Sequence, residues 1–309
     1  MELRKSYAAE LSRLMKQNDK IVVLDADLAG AGGTSPLYKE FPTRAINCGI
    51  AEANMTCIAA GLSASGYVPF IHSFAPFISR RVFDQIAVSI NYSELNVKII
   101  GWDPGITATS NGGTHMCLED TAMMRALSNI AVLDIVDDVQ IRKALPQIAA
   151  YPTSVYVRMM RKAGETFYPE DYEFQLGKAD KICDGSDITI ISSGILLFDA
   201  KRAVEELAAE GIKADFLAIH TVKPLDEQAI IASAQKTGAV LTVENHSIHG
   251  GLHSAVCETL SAHCPTLCDA VAVRDRITQV GSLNDLKRDY GLTAQDVVQK
   301  AKEMLARKQ

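Results

Sequence analysis

The chain has 309 residues, 48% of them hydrophobic and 22% charged, with a formal net charge of −6. A chain of this length accommodates about two domains whose cores need no covalent staples, and the balance excludes disordered, collagen-like and coiled-coil architectures. No stretch reaches the ~18 consecutive apolar residues of a membrane span, and no basic cluster marks a nucleic-acid footprint. The segment Met1-Glu-Leu-Arg-Lys-Ser-Tyr7 lacks the apolar core of a signal peptide, so a cytoplasmic location is expected. Seven cysteines (Cys48, Cys57, Cys117, Cys183, Cys257, Cys264 and Cys268) are scattered and odd in number, which predicts reduced thiols serving as small core hydrophobes.

Leu3, Tyr7, Leu11 and Leu14 recur at three- and four-residue steps and predict an N-terminal helix with one apolar stripe. The run Ile21–Leu24 ends in Asp25-Ala-Asp27, the pattern of a buried parallel strand entering a polar turn. A Gly-, Ser- and Pro-containing loop follows over 30–36. The alternation continues with strand 44–47, helix 51–65, strand 68–71, helix 77–91 and strand 97–100. Helix 119–128, strand 131–135, helix 138–150 and strand 154–158 complete the series.

Between Lys162 and Lys178 the pattern lapses into Gly164, Pro169, Gly177 and the acids Glu165, Glu170, Asp171 and Glu173, which reads as a linker. Asp184-Gly185 reads as a turn before a second series: strand 188–191, helix 197–210, strand 214–218, helix 225–235, strand 240–243 and helix 253–262. A last helix over about 294–306 is expected to be capped by Thr293 with Asp296 facing back. Strands separated by helices imply crossover connections and parallel sheets covered on both faces. The expected fold is α/β, two consecutive doubly wound domains over 1–165 and 181–309 joined by a linker over 166–180. Ligands of such sheets bind beyond the carboxyl ends of the strands, which directs attention to the loops there.

Four segments carry candidate chemistry. Glu52 stands at a strand-to-helix junction in Cys48-Gly-Ile-Ala-Glu52, where a carboxylate either complements the helix dipole or faces a cleft and exchanges a proton with a ligand nitrogen. Phe74 and Phe77 flank Ala75-Pro76 after a strand, either as core or as a wall for a planar heterocycle. His115 ends the small-residue loop Asn111-Gly-Gly-Thr-His115 and is placed to donate or shuttle a proton. His246, His249 and His253 are followed by His263, Cys264 and Cys268, but the spacing fits no standard zinc pattern, and the glycine pair Gly250-Gly251 reads as a turn. No metal ligand is expected in this chain. Neither a P-loop nor a dinucleotide fingerprint is present.

Several of these residues sit in segments that resemble transketolases. The segments are Asp25-Ala-Asp-Leu28, Lys39-Glu-Phe-Pro42, Gly49-Ile-Ala-Glu52, Phe83-Asp-Gln85, Leu95-Asn-Val-Lys98, Gly113-Thr-His115, Val222-Lys-Pro-Leu-Asp226 and Val243–Leu252. Over essentially its full length the chain looks like the C-terminal half of a transketolase, as found in the separate subunit of split forms. The resemblance implies a pyrimidine-binding domain followed by the family's C-terminal domain, with thiamine diphosphate bound between two chains. It implies that Glu52 hydrogen-bonds the aminopyrimidine and favours its imino tautomer, that Phe77 stacks on this ring beside Phe74, and that Asp27 is the loop acid near the cofactor. His115 matches a histidine that contacts substrate hydroxyls and moves protons, and Arg4 and Arg161 match positions that hold the substrate phosphate. The implied reaction is transfer of a two-carbon ketol unit from a ketose, expected to be phosphorylated, to an aldose acceptor, so sugar phosphates are the expected substrates.

The chain also departs from the family pattern. Asp103 takes the place of a histidine, Ser110-Asn111 replaces a Glu-Asp pair, and Ala31 replaces a serine that contacts phosphate. Asp103 and Asn111 therefore face the substrate side, and an acid there repels a phosphate, so the substrates are expected to differ from the ordinary pentose phosphates or to be held by other residues. The family's diphosphate-binding domain is not found in the sequence. An N-terminal transketolase subunit is the expected partner, supplying the Mg²⁺ ligands in a two-plus-two heterotetramer, and the lone chain is expected to be inactive. Two alternatives are the beta subunit of a 2-oxoacid dehydrogenase, which shares the Gly-Ile-x-Glu motif, and a non-catalytic paralogue that assembles with a partner.

Overall fold

The computed structural model describes residues 2–162 and 165–308. Gly164, read above as part of the linker, lies outside them. The chain forms two compact units: Met1–Pro104 with Met123–Leu176, and Gly105–Ala122 with Gly177–Gln309. The loop carrying Asn111 and His115 thus belongs to the second unit, although it leaves and re-enters the first in sequence. Among the described residues no helix is long and apolar enough to cross a membrane.

The first unit is built on β1 (Ile21–Asp25), β2 (Ala45–Asn47), β3 (Val68–Phe74), β4 (Lys98–Trp102), β5 (Ile130–Ile135) and β6 (Ser154–Met159). They lie in the order β5-β6-β4-β3-β1-β2, every pairing parallel. Strands β1, β4, β5 and β6 are buried along their whole length, which is why they read as continuous apolar runs rather than alternating ones. The helix Leu3–Gln17 buries the predicted stripe of Leu3, Tyr7, Leu11 and Leu14 in the core of this unit. Helix Asp138–Ala150 is capped by Asp137, whose Oδ1 accepts from Gln140 N (2.7 Å) while Oδ2 accepts from the amides of Phe167 and Tyr168.

The second unit has β7 (Asp180–Cys183), β8 (Ile188–Ser192), β9 (Ala214–Ala218), β10 (Thr221–Lys223), β11 (Ala239–Ser247) and β12 (Leu267–Val273). Its sheet order is β12-β11-β8-β9-β7, parallel except for the antiparallel edge strand β7. The expected cap of the last helix is present: Asp296 N–H donates to Thr293 Oγ1 at 3.3 Å, and Thr293 N–H donates back to Asp296 Oδ2 at 2.8 Å.

The α/β reading holds, and three local expectations are corrected. The helix expected over 77–91 is broken into Ala75–Ile78, Arg80–Val82, Phe83–Gln85 and a π-helical turn Ile86–Asn91. Ser79 interrupts it at φ −117° and ψ −82°, and its hydroxyl donates to the Ala75 carbonyl at 2.5 Å, so a local hydrogen bond competes with continuation of the helix. The loop over 30–36 contains the short helices Ala29–Gly32 and Ser35–Glu40. The sequence pattern does not predict strands β7, β10 and β12 or the helix Leu283–Tyr290. Strand β7 is only partly buried along its length, so it lacks the apolar run that marks the others.

Candidate functional site

Strand β2 places Glu52. It ends at Asn47, whose side-chain oxygen accepts from the amides of Asp27 (3.1 Å) and Gly49 (2.9 Å). Gly49 has φ +69°, a conformation costly for any residue with a Cβ, although a Cβ there would meet nothing. This turn starts the helix Glu52–Ala64 at Glu52 itself, and the dipole of its first turn favours a negative side chain. Glu52 is 4% exposed. Its Oε1 accepts from Arg81 Nη1 at 2.9 Å, and Arg81 is about half exposed.

From Glu52 a run of contacts leads to every other candidate of the first unit except Asp27. The Arg81 guanidinium lies 4.0 Å from the centroid of the Phe77 ring. Phe77 meets Phe74 edge to face at 6.1 Å and 81°. The Arg161 guanidinium lies 4.6 Å from the centroid of Phe74, and its Nε donates to Asp103 Oδ2 at 2.5 Å while the Arg161 amide donates to Asp103 Oδ1 at 2.8 Å. Arg4 joins through its amide, which donates to the Arg161 carbonyl at 3.2 Å, and its Nη1 donates to the Ala31 carbonyl at 3.0 Å. Its other guanidinium nitrogens pair with Glu2. Asp27 stands apart from this run, exposed, with φ +58° and its Oδ1 accepting from Asn47 Nδ2 at 3.1 Å.

The two arginines read as phosphate holders are therefore each paired with an acid of this chain. Asp103 is buried at φ +51°, with its amide bonded to the Met159 carbonyl at 3.0 Å, so its carboxylate is held against Arg161 and the local charge there is close to zero. Arg81, which sequence reasoning missed, is the residue that links the carboxylate to the aromatic wall. Its only sequence signal is its place two residues before the Phe83-Asp-Gln85 motif.

His115 and Asn111 are positioned inside the second unit. The loop is pinned at its base, where the Gly105 amide donates to the Cys117 carbonyl at 2.8 Å and the Ile106 amide donates to Asn245 Oδ1 at 3.0 Å. Gly105 has φ +61°, and a Cβ there would run into the Asn245 side-chain amide, so only glycine fits. At the tip, His115 N–H donates to the Gly112 carbonyl at 2.9 Å, and His115 Nδ1 lies 2.9 Å from Thr114 Oγ1. Asn111 is exposed and His115 partly buried.

The histidine cluster serves this arrangement too. Strand β11 sends the Ser247 amide to the Leu118 carbonyl at 2.8 Å, and buried His246 places Nε2 3.4 Å from the Ala122 amide. Glu244 accepts from the first amides of helix Leu252–His263, Leu252 N at 2.7 Å and His253 N at 2.9 Å. Asn245, His246 and Glu244 are thus supporting residues that the spacing of histidines alone does not single out.

Residues 1–165 match the transketolase pyrimidine-binding domain and residues 177–297 the transketolase C-terminal domain, so this chain belongs to the transketolase family, whose members depend on thiamine diphosphate. Within the family it is similar to subunits of split transketolases. It is 48% identical over 306 residues to the 6-deoxy-6-sulfo-D-fructose transketolase subunit of Clostridium sp. strain MSTE9, covering 99% of this chain and 95% of that one. It is 36% identical over 303 residues to an apulose-4-phosphate transketolase subunit of Phocaeicola vulgatus, covering 98% and 97%. A solved structure described as a split gene transketolase, inactive beta4 tetramer, is 39% identical and superposes with a TM-score of 0.92 over 99% of both chains.

Proposed function

We propose that this chain presents the pyrimidine-activating carboxylate and the aromatic wall of a two-subunit ketol transferase. The observation that carries the reading is the Glu52–Arg81–Phe77 arrangement. A planar N–H donor bonds the buried carboxylate and lies over the Phe77 ring, and those are the two contacts that a planar aminopyrimidine asks of a protein. Bound thiamine diphosphate would supply the electron sink for exchange of a carbon–carbon bond beside a carbonyl. Glu52 would then hold the proton shared with the ring nitrogen, with Phe77 and Phe74 as the wall and Asp27 on the loop beside it. His115 and Asn111 would meet substrate hydroxyls, and His115 would exchange protons with them.

The diphosphate and Mg²⁺ are assigned to an N-terminal partner subunit in a two-plus-two assembly. This agrees with the solved relative, described as inactive when present as a beta tetramer. For the substrate, the paired state of Arg161 and Arg4 favours a sugar whose terminal anion carries one charge. A phosphate dianion entering there meets arginines whose charge is already balanced by Asp103 and Glu2, so its second charge gains no compensating attraction. A sulfonate carries a single charge, and the Clostridium relative is named for a 6-deoxy-6-sulfo ketose. The donor is therefore read as a sulfo-ketose.

The test is ketol transfer by this chain alone, by its partner alone and by the mixture, with matched sulfo- and phospho-ketoses. Activity confined to the mixture and higher with the sulfo-ketose is expected. Activity of the lone chain would sink the split-site reading, and a preference for the phosphate would sink the substrate reading while leaving the former intact.

A further inference from the structure

Strand β11, helix Leu252–His263 and edge strand β12 bring together three soft donors that the function above leaves unused. His253 and Cys257 are four residues apart on one face of the helix. Cys268 stands on β12 opposite Val240, with Thr242 opposite Ala270, so Cys268 and Thr242 share one face of the sheet. The three donor atoms lie within 4.8 Å of one another, and all three residues are partly accessible. None of the cysteines is in a disulfide.

We propose that His253, Cys257 and Cys268 form a binding site for a zinc-type divalent ion, with a fourth position open to solvent. His253 Nε2 lies 3.6 Å from Cys257 Sγ. A tetrahedral zinc with ordinary zinc–sulfur and zinc–nitrogen lengths holds those two ligand atoms about 3.5–3.6 Å apart, so this edge of the tetrahedron is already formed. Two thiols and an imidazole also select zinc over hard cations such as Mg²⁺.

The imidazole is aimed as a ligand should be. His253 Nδ1 is 3.0 Å from Thr242 Oγ1, and the Thr242 hydroxyl is directed to the Asp269 carbonyl at 3.4 Å. With the hydroxyl directed to that carbonyl, its oxygen is available to accept from Nδ1–H, the tautomer that leaves the Nε2 lone pair facing Cys257. Such an outer partner fixes the tautomer and ring orientation of a metal-bound histidine. On binding, each ligating thiol gives up its proton to solvent and the sulfur's lone pair goes to the metal; no oxidant or reductant is involved. The sequence hides the site because its helical pair, His253 and Cys257, finds its third ligand in Cys268 only across a turn and on another strand.

The test uses the full chain without thiamine diphosphate or Mg²⁺, stripped by chelator, reduced, and titrated with Co²⁺ and then Zn²⁺. One cobalt per chain with thiolate-to-metal charge-transfer absorption and a tetrahedral ligand-field spectrum, displaced by zinc, is expected. Cys257→Ser and Cys268→Ser should each weaken binding at least 100-fold, and Thr242→Val about 10-fold, with far-ultraviolet circular dichroism unchanged. Cys57→Ser, at an exposed thiol elsewhere, should change nothing. The proposal is overturned if wild type gives no stoichiometric cobalt spectrum, if the spectrum survives in both cysteine variants, or if the reduced chain re-forms a Cys257–Cys268 disulfide and takes up no metal.

Discussion

At Glu52 the helix start, the burial and the Arg81 partner all act on one carboxylate, so its chemistry can be removed without touching the backbone. Glu52→Gln keeps the shape and the hydrogen bond from Arg81 but cannot take up a proton. In the assembled complex it should leave subunit association intact and lower turnover by about 10²–10⁴-fold. Unchanged turnover in a ketol-transfer assay would remove Glu52 from the proposed role. Asp103 allows a second test at the same scale. Its left-handed backbone suits asparagine better than most residues, so Asp103→Asn should fold normally while releasing the charge of Arg161. The ratio of kcat/KM for phospho- over sulfo-ketose is expected to rise roughly tenfold, and an unchanged ratio would mean that Asp103 does not set terminal-anion preference.

At the scale of elements, the loop 105–122 carries only a short 3-10 turn over Ile106–Asn111 and the start of helix Asp120–Ala126, and the end of β11 adds to what holds it. Asn245 supplies the acceptor for the buried Ile106 amide, and Gly105 exists to let that side chain approach. Asn245→Ala leaves a buried donor unpaired, which costs about 1–3 kcal/mol. Because the loop is the weaker element, the loss should appear as faster hydrogen exchange over 105–118 and a lower kcat, with the melting of the first unit's sheet little changed. Uniform destabilisation with unaltered loop exchange would contradict this. The predicted strand-to-helix junctions at Glu52 and after β3 are legible because their apolar runs and turn residues are local. The break at Ser79 is not, since it depends on which acceptor its hydroxyl finds once Ala75–Ile78 has turned.

For the molecule as a whole, one pH-sensitive feature is Lys98 at the start of β4. Burial pushes its ammonium down to about 7, although Nζ donates to the Tyr151 and Thr153 carbonyls at 2.7 and 2.8 Å. Below pH 7 both folded and unfolded chains hold this proton, and the fold bears the full cost of burying the charge. Between pH 7 and the usual lysine range, only the unfolded chain still binds the proton, so stability rises with pH. Lys98→Met should remove this dependence. Its stability relative to wild type, measured by denaturant unfolding, should increase by roughly 4 kcal/mol as pH falls from 10 to 7. Parallel pH profiles would mean that Lys98 is solvated well enough to keep its ordinary behaviour.

The sequence by itself determined the class of fold, the alternation that builds two parallel sheets, and which residues of the first unit are candidates for its site. Those properties follow from periodicity and from short motifs, which are local in the chain. Tertiary structure alone decided what those side chains face. It paired Arg161 with Asp103, put Arg81 between Glu52 and Phe77, and made Asn245 and His246 the supports of a loop more than a hundred residues earlier. It also gathered His253, Cys257 and Cys268, whose spacing matches no standard metal pattern. The physical reason is common to all four: side-chain charge and ligand geometry act over a few ångströms in space, and crossover connections make spatial neighbours of residues that sequence distance keeps apart.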